Sequence, residues 1–470
     1  MTYKPKKKYH LTDILCFIYN HLVNKLTKTI IVIFMTCSFN LAAEESDKIS
    51  KINFSDRIEE FSLDNGLDVI LIEDNRSDNV VSSIWYRVGS SYENEGITGI
   101  SHLLEHMMFK GTEKFSAGEF SSAVKKIGGT ENAFTGRDFT GYYQKVSKEF
   151  LSMCLEYEAD RMINLNLTND DLISEREVVK EERRLRTEDQ PISIIFEKIG
   201  LHILGMTDYG IPIIGTMDDL NNITLSDLED WYKKYYKPSN ATIIISGNFE
   251  TEAVKNDINL YFGSIQNPEM EFDRVSSKII KTSFDQMLLR EKLPNPILIL
   301  SFVKPKFADL STKDAYALEL LLEIMDGSFS SRFTSNIIDK KIAINTFISY
   351  DLFSRKKSII SIGGVPRRDV TLEVLKQSII DEFIILYNEG LQDKELRNTK
   401  ARLIASNIYK FDSIFTQTMS VGQLESKNLS WNLLDEYVNN VNSVTEQDIR
   451  EVAQKYIINN KVQISLVEPE

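Results

Sequence analysis

Two stretches far apart in this sequence share one pattern. Ile223-Thr224-Leu225-Ser226-Asp227-Leu228 is followed by Tyr235 and the apolar run Ala241–Ile245. Val444-Thr445-Glu446-Gln447-Asp448-Ile449 is followed by Tyr456 and the run Val462–Leu466. Thr, Asp and Tyr recur at one offset of 221 residues. Helix-then-strand units are common, so the match alone only suggests a duplication. A chain of 470 residues also exceeds one ordinary core. Together these predict two domains of about equal length, 58–270 and 271–470, meeting between Asn267 and Ser283.

Between the repeated stretches the chain alternates strand and helix signals. Phe61-Ser62-Leu63, the turn Asp64-Asn65-Gly66 and the run Leu67–Ile72 read as a β-hairpin. Val80 to Val88 reads as a strand ending at Gly89. Gly96-Ile97-Thr98-Gly99 opens a helix. Gly128–Thr135 turns into a strand, with Phe139–Val146 as its hairpin partner. Residues 149–164 and 169–189 read as helices, and the second is dense in charge, which by default marks a solvated face with i,i+4 ion pairs.

The helix after Gly99 carries His102-Leu103-Leu104-Glu105-His106. Imidazoles four residues apart lie one above the other on a helix face. Both can then reach one metal ion at about 2.0–2.1 Å, with the Glu105 carboxylate on nearly the same face. A zinc ion and a nearby carboxylate are the parts needed to activate water for hydrolysis, and H-x-x-E-H is a zinc-protease signature. The bland alternative is an amphipathic helix with two incidental histidines. The chain has only five histidines, and two share this pentapeptide, which favours the metal. A catalytic zinc takes three protein ligands plus water. Candidates for the third are His202 and the acids of the charged helix.

Taken together, His102 through Thr112, Gly129 through Thr135, Glu175 through Glu182, Pro212 through Thr216 and Tyr235 through Ala241 resemble the insulinase/pitrilysin superfamily of zinc peptidases. The closest likeness is to its short, mitochondrial-processing-peptidase-like bacterial branch, and it spans about residues 55–470. The resemblance implies an α+β fold of two similar domains, each a mostly antiparallel sheet covered by helices on one face. It implies a metalloendopeptidase with one Zn2+ per chain, bound by His102, His106 and Glu182, with Glu105 as general base. Glu175, two turns before Glu182, would support the site from behind, while Glu181 would point elsewhere. Asn132, Ala133 and Phe134 would pair with the backbone of a peptide substrate as an added strand. Leu320-Leu321-Leu322-Glu323-Ile324-Met325 looks like the second domain's copy of the metal helix, with Leu320 and Ile324 at the histidine positions.

Two departures from the family pattern stand out. Met206-Thr207-Asp208-Tyr209 replaces a His-Pro-Tyr run, which alters a loop. More consequential, relatives with a complete site carry an Arg and a Tyr shortly after a Ser-Ser-Arg stretch. Here Ser330-Ser331-Arg332 is followed by Ile338 and Asn345 at those positions, and a one-residue shift gives Ile337 and Ile344. The implied partner is a homologous subunit that lacks the zinc motif and carries the Arg and Tyr. The rival is a self-sufficient homodimer using a different donor, Arg332 or Tyr350. A different class of reading is a non-catalytic assembly or core-type protein of the same fold. It gives no reason to keep four such polar groups together.

Residues 1–43 read as a targeting segment: Lys25 and Lys28 precede the apolar run Ile30–Met35, and small residues end at Ala43 before Glu44-Glu45. Export to the periplasm with cleavage after Ala43 is expected, or anchoring by the apolar segment. Residues 44–57 read as a flexible linker. The leading 43 residues carry six Lys and one Asp, leaving −19 of the net −14 on the remainder. Such an acidic body repels nucleic acid, which is excluded as a partner. Of Cys16, Cys37 and Cys154, only Cys154 would remain after cleavage, so no internal disulfide and no cysteine zinc site can form.

Overall fold

A strand built from Val69-Ile70-Leu71-Ile72 has no polar face, so it must be covered on both sides. The same holds for Ile243-Ile244-Ile245 and for Ile297-Leu298-Ile299-Leu300. The computed structural model describes residues 54–267 and 285–470 and shows how that cover is supplied. The expected targeting segment, the first ten residues of the expected linker and most of the expected boundary lie outside the described residues. The end of the linker, Phe54–Asp56, is a 3-10 turn whose Ser55 N–H donates to Asp435 at 3.0 Å.

The first half runs β1 (Ile58–Ser62), β2 (Asp68–Glu73), β3 (Asn79–Tyr86), α1 (Ile100–Met107), α2 (Glu119–Lys126), β4 (Thr130–Thr135) and β5 (Thr140–Ser147). It continues with α3 (Leu151–Ile163), α4 (Asn169–Arg183), α5 (Pro191–Leu204), α6 (Met217–Asn222), α7 (Leu225–Tyr235), β6 (Ala241–Gly247) and α8 (Thr251–Phe262). The second half runs β7 (Gln286–Glu291), β8 (Ile297–Lys304), α9 (Thr312–Asp326), β9 (Ala343–Ser349), β10 (Ser358–Pro366) and α10 (Leu372–Glu389). It ends with α11 (Asp393–Lys410), α12 (Ile414–Glu425), α13 (Asn432–Ser443), α14 (Glu446–Ala453) and β11 (Val462–Pro469).

The two sheets repeat one topology. Strand order is β1-β2-β6-β3-β5-β4 in the first and β7-β11-β8-β10-β9 in the second. Among the described residues, only β2–β6 and β7–β11 pair in parallel. Removing β1 makes the orders equivalent strand for strand. The repeated stretches occupy equivalent places. Thr224 and Asp227 form a capping box on α7, as Thr445 and Asp448 do on α14. The expected α+β class with two similar, mostly antiparallel domains is therefore what forms.

Alternation along the strands divides the cover. Val69, Leu71, Ile84, Ile243 and Ile245 face α1, α3, α7 and α8, which belong to the same half. Ile70, Ile72, Trp85 and Ile244 face the other way, onto Val421 and Leu424 of α12 and Leu434 of α13. The second sheet mirrors this. Leu298, Leu300, Ile360 and Ile362 pack with α9, α10 and α14, while Ile297, Ile299 and Val467 meet Ile195, Ile199 and Ile203 of α5. Each half thus lends helices to the back of the other's sheet, beyond the one-face cover expected from the sequence.

The tightest point of this exchange is Gly422 of α12 against Trp85. The indole is fully buried, donates from Nε1 to Ser83 Oγ at 2.9 Å, and is wedged between Phe134 and Phe139 at centroid distances of 4.9 and 5.1 Å. A Cβ at Gly422 would lie 2.1 Å from Trp85 Cε2. Because the ring cannot yield, Gly422→Ala is expected to destabilise the protein by about 1–3 kcal/mol through overpacking. Thermal unfolding followed by calorimetry checks this; an unchanged midpoint contradicts it.

Candidate metal centre

The centre begins with the start of α1. Gly99 enters the helix at φ +87°, which favours glycine. Glu93 accepts the Gly99 and Ser101 N–H groups at 2.7 and 2.9 Å, satisfying donors that the helix itself cannot. Asp219 of α6 accepts from the N–H groups of Gly96 and Thr98 and from the Thr98 hydroxyl. Gly99 also lies against Gly215: a Cβ on Gly215 would come within 2.3 Å of Thr98 O. Arg183, at the end of α4, donates to Gly215 O at 2.5 Å and pairs with Glu197 of α5 at 2.7 Å. The start of α1, the end of α4 and the segment before α6 are therefore locked to one another.

This lock sets α4 across α1 so that their polar faces meet. His102 Nε2 and His106 Nε2 lie 3.7 and 3.5 Å from Glu182 Oε2. These three residues can offer ligand atoms all within 4.8 Å of one another. Ligand bonds of about 2.0–2.1 Å in a tetrahedron separate donor atoms by about 3.4 Å, so the set fits a zinc ion. Glu175 Oε2 lies 3.0 Å from His106 Nδ1, and Lys110 holds its other oxygen at 2.5 Å. Arg186 holds Glu182 Oε1 at 2.6 Å. Glu181 points outward to Arg184 at 2.8 Å. His202, on α5, is half-buried and stands outside the cluster.

Burial and neighbours tune these groups. His102 is pushed down to about 3 by burial, and then by the His106 and Arg186 charges. Its imidazole stays neutral, as a ligand must be. Burial pushes the His106 value down, but the Glu175 hydrogen bond and the Glu105 and Glu182 carboxylates outweigh it, and the net shift is upward. Glu105 is pushed up to about 7 by burial, against the hydrogen bond from Thr135. Glu175 is held low by its hydrogen bond with His106 and then by Lys110.

Asn132, Ala133 and Phe134 lie on β4, which pairs with β5 on one side and, among the described residues, has no strand on the other. The Ala133 N–H is taken by Asn132 Oδ1 at 2.9 Å. The Phe134 ring is committed to Trp85, and its backbone pairs with Gly141 of β5. In the second half, Ile338 lies in a turn beside β9, and Asn345 lies on β9 with its Oδ1 accepting the Val365 N–H at 3.3 Å. Arg332 grips Glu395 through Nε and Nη2 at 2.8 and 2.9 Å, and Tyr350 packs against the second core. The Met206–Tyr209 loop ties the halves together. Tyr209 donates to Asp138 and receives the Arg355 N–H at 3.0 Å, Arg355 pairs with Asp138 at 2.8 Å, and Lys356 with Asp208 at 3.0 Å.

Sequence reasoning missed Glu93, Asp219 and Arg186, and it placed Thr135 on the substrate-pairing strand without its contact to Glu105. Glu93 and Asp219 carry no local signal, since they act on backbone N–H groups. Thr135 shares a strand face with Ala133, and Arg186 stands four residues after Glu182, so spacing alone could have nominated both.

Comparison with known proteins identifies the family. Residues 68–217 match the family described as Insulinase (Peptidase family M16), and residues 222–403 match Peptidase M16 inactive domain. The chain is 30% identical over 368 residues to the zinc protease PqqE of Helicobacter pylori, covering 76% of this chain and 80% of that protein. The crystal structure of a protease from Helicobacter pylori superposes with a TM-score of 0.78 at 27% identity, covering 88% of this chain and 99% of that one. The first half of the periplasmic protease PqqL from Escherichia coli shares the fold, with a TM-score of 0.73 at 17% identity, covering 87% of this chain and 92% of that one. The chain belongs to the insulinase family of peptidases, whose relatives include named zinc proteases.

The Glu93 anchor makes a pH prediction. Burial pushes its carboxyl up to about 7, against the two N–H donors, with the Asp219 charge adding to the rise. A carboxyl whose folded value exceeds its unfolded one binds a proton on folding. Its stabilisation is present below about 4.3 and is lost as pH rises through about 7. Glu93→Gln keeps an acceptor oxygen and has no charge to bury. Its melting temperature should gain on the parent's between pH 5 and pH 8; a difference that stays constant over that range contradicts the assignment.

Proposed function

We propose that this insulinase-family chain is a zinc-dependent peptidase that cuts unstructured peptides. The observation that carries the reading is the meeting of His102 Nε2, His106 Nε2 and Glu182 Oε2 beside a buried carboxyl, Glu105. His102, His106 and Glu182 would hold one zinc ion per chain. When bound, zinc would acidify a water molecule and polarise the scissile carbonyl. Glu105 accepts the proton of the attacking water and passes it to the departing amine. Glu175 keeps His106 in one tautomer and ring orientation. The open edge of β4 takes the substrate backbone as an added strand, which selects extended peptides with little regard to sequence.

The chain is further proposed to work with a homologous subunit that carries the missing Arg and Tyr. Ile338 and Asn345 offer neither a guanidinium nor a phenol. The in-chain substitutes are engaged elsewhere, Arg332 with Glu395 and Tyr350 in the second core. Export is proposed from the leading segment. Among the described residues no helix is long and apolar enough to cross a membrane.

Glu105→Gln should retain zinc and lose peptide cleavage by at least about a thousandfold, whereas His106→Ala should lose the zinc as well. Metal analysis and a quenched-fluorescence peptide assay read both. Full cleavage by Glu105→Gln, or stoichiometric zinc in His106→Ala, refutes the roles. A wild-type chain that binds no zinc and cuts nothing supports the non-catalytic alternative. Adding the Arg- and Tyr-bearing subunit should raise kcat by about 10²–10³, the typical worth of such donors. Equal activity from the lone chain would defeat the partner.

A further inference from the structure

We propose that Thr135 is the positioning residue for Glu105, which makes the strand along which a peptide would lie and the carboxylate that would act on it one rigid unit. This rests on the peptidase reading above. Thr135 is the last residue of β4, and its hydroxyl donates to Glu105 Oε2 at 2.5 Å. Among the described residues this is the one hydrogen bond that the Glu105 carboxylate accepts.

The contact follows from the pleat. Successive side chains of β4 point to opposite faces. Phe134 faces Trp85 and α12, so Ala133 and Thr135 face α1, and Ala133 packs in the core that α1 shares. The hydroxyl cannot wander. Thr135 pairs with Thr140 across the hairpin, and the Gly136 N–H closes the turn onto Phe139 O at 2.7 Å. Phe134 and Phe139 meet edge to face below it, with centroids 5.9 Å apart. The strand end is thus held from its partner strand, its turn and its far face.

Glu105 needs such a partner. The terminal torsion of a glutamate is broad, so helix geometry alone leaves the carboxylate plane free to turn. Burying it unpartnered would also carry a desolvation cost. Holding Oε2 leaves Oε1 to receive the water's proton. Because the same strand presents the open edge, a peptide added along β4 would arrive in register with the base. A misplacement of about 1 Å at such a group costs about a hundredfold in rate.

The test compares Thr135→Val and Thr135→Ser in the full chain, together with the partner subunit if the wild type requires it. Valine keeps the shape and removes the donor; serine keeps the donor. Thr135→Val should lower kcat about 10- to 100-fold, with KM within about twofold and zinc content unchanged. Thr135→Ser should recover kcat to within about threefold. A crystal structure of Thr135→Val should show the Glu105 carboxylate turned away from its wild-type plane. Wild-type kcat in Thr135→Val, serine failing as badly as valine, or a loss confined to KM or zinc would each overturn the proposal. If the wild type itself shows no zinc-dependent cleavage, the peptidase reading fails; an unmoved Glu105 carboxylate in Thr135→Val then overturns the positioning claim on its own.

Discussion

The crossing of α1 and α4 is the constraint that the rest of the first half serves. It brings two imidazoles and the carboxyls of Glu105, Glu175 and Glu182 into one small, largely buried volume. Such a gathering is costly unless each group finds a partner. The chain's own cations take the outer sides: Lys110 the far oxygen of Glu175, Arg186 that of Glu182. The inner oxygen of Glu182 and the two Nε2 atoms are left facing one another. Their mutual distances suit a small cation that accepts two nitrogens and an oxygen. Glu93, Asp219, the Gly99–Gly215 contact and Arg183 keep the crossing from relaxing.

The second half explains itself in the same terms. Its copy of the metal helix, in α9, keeps Leu320 and Ile324 buried in the core where the first half has histidines. Glu323 stands in the place of Glu105, and a guanidinium answers it: Arg402 of α11 binds Glu323 at 2.6 Å and Gly327 O at 2.6 Å. The packing face is retained because it is needed. Without α12 and α13, the back of the first sheet, with Trp85 at its centre, would face water.

Much of this was legible in the sequence, and the reasons are local. The Asn65-Gly66 turn forms because Gly66 takes φ +83°, and Asn65 also ties the turn to the end of α8 through Phe262 O. His102 and His106 share a face because four residues make about one helical turn. Glu175 and Glu182 share one for the same reason over two turns. What escaped was long-range. Nothing in the amphipathicity of α12 or α5 says which sheet it will cover. Glu93 and Asp219 clamp backbone N–H groups, which leave no pattern in side chains. The parallel pairing of β7 with β11 joins strands almost at opposite ends of the second half. The Phe134 ring turned inward because its strand position points to Trp85, although its neighbours sit on an open edge.

The peptidase reading requires one zinc ion between α1 and α4, held by two imidazoles and a carboxylate. X-ray absorption at the zinc edge of the purified, zinc-loaded protein tests it without reference to activity. The expected result is a four-coordinate shell of nitrogen and oxygen at about 2.0–2.1 Å, with the outer scattering of two imidazole rings and no sulfur. Zinc bound without histidine scattering, with three or more imidazoles, or through sulfur at about 2.3 Å would contradict it.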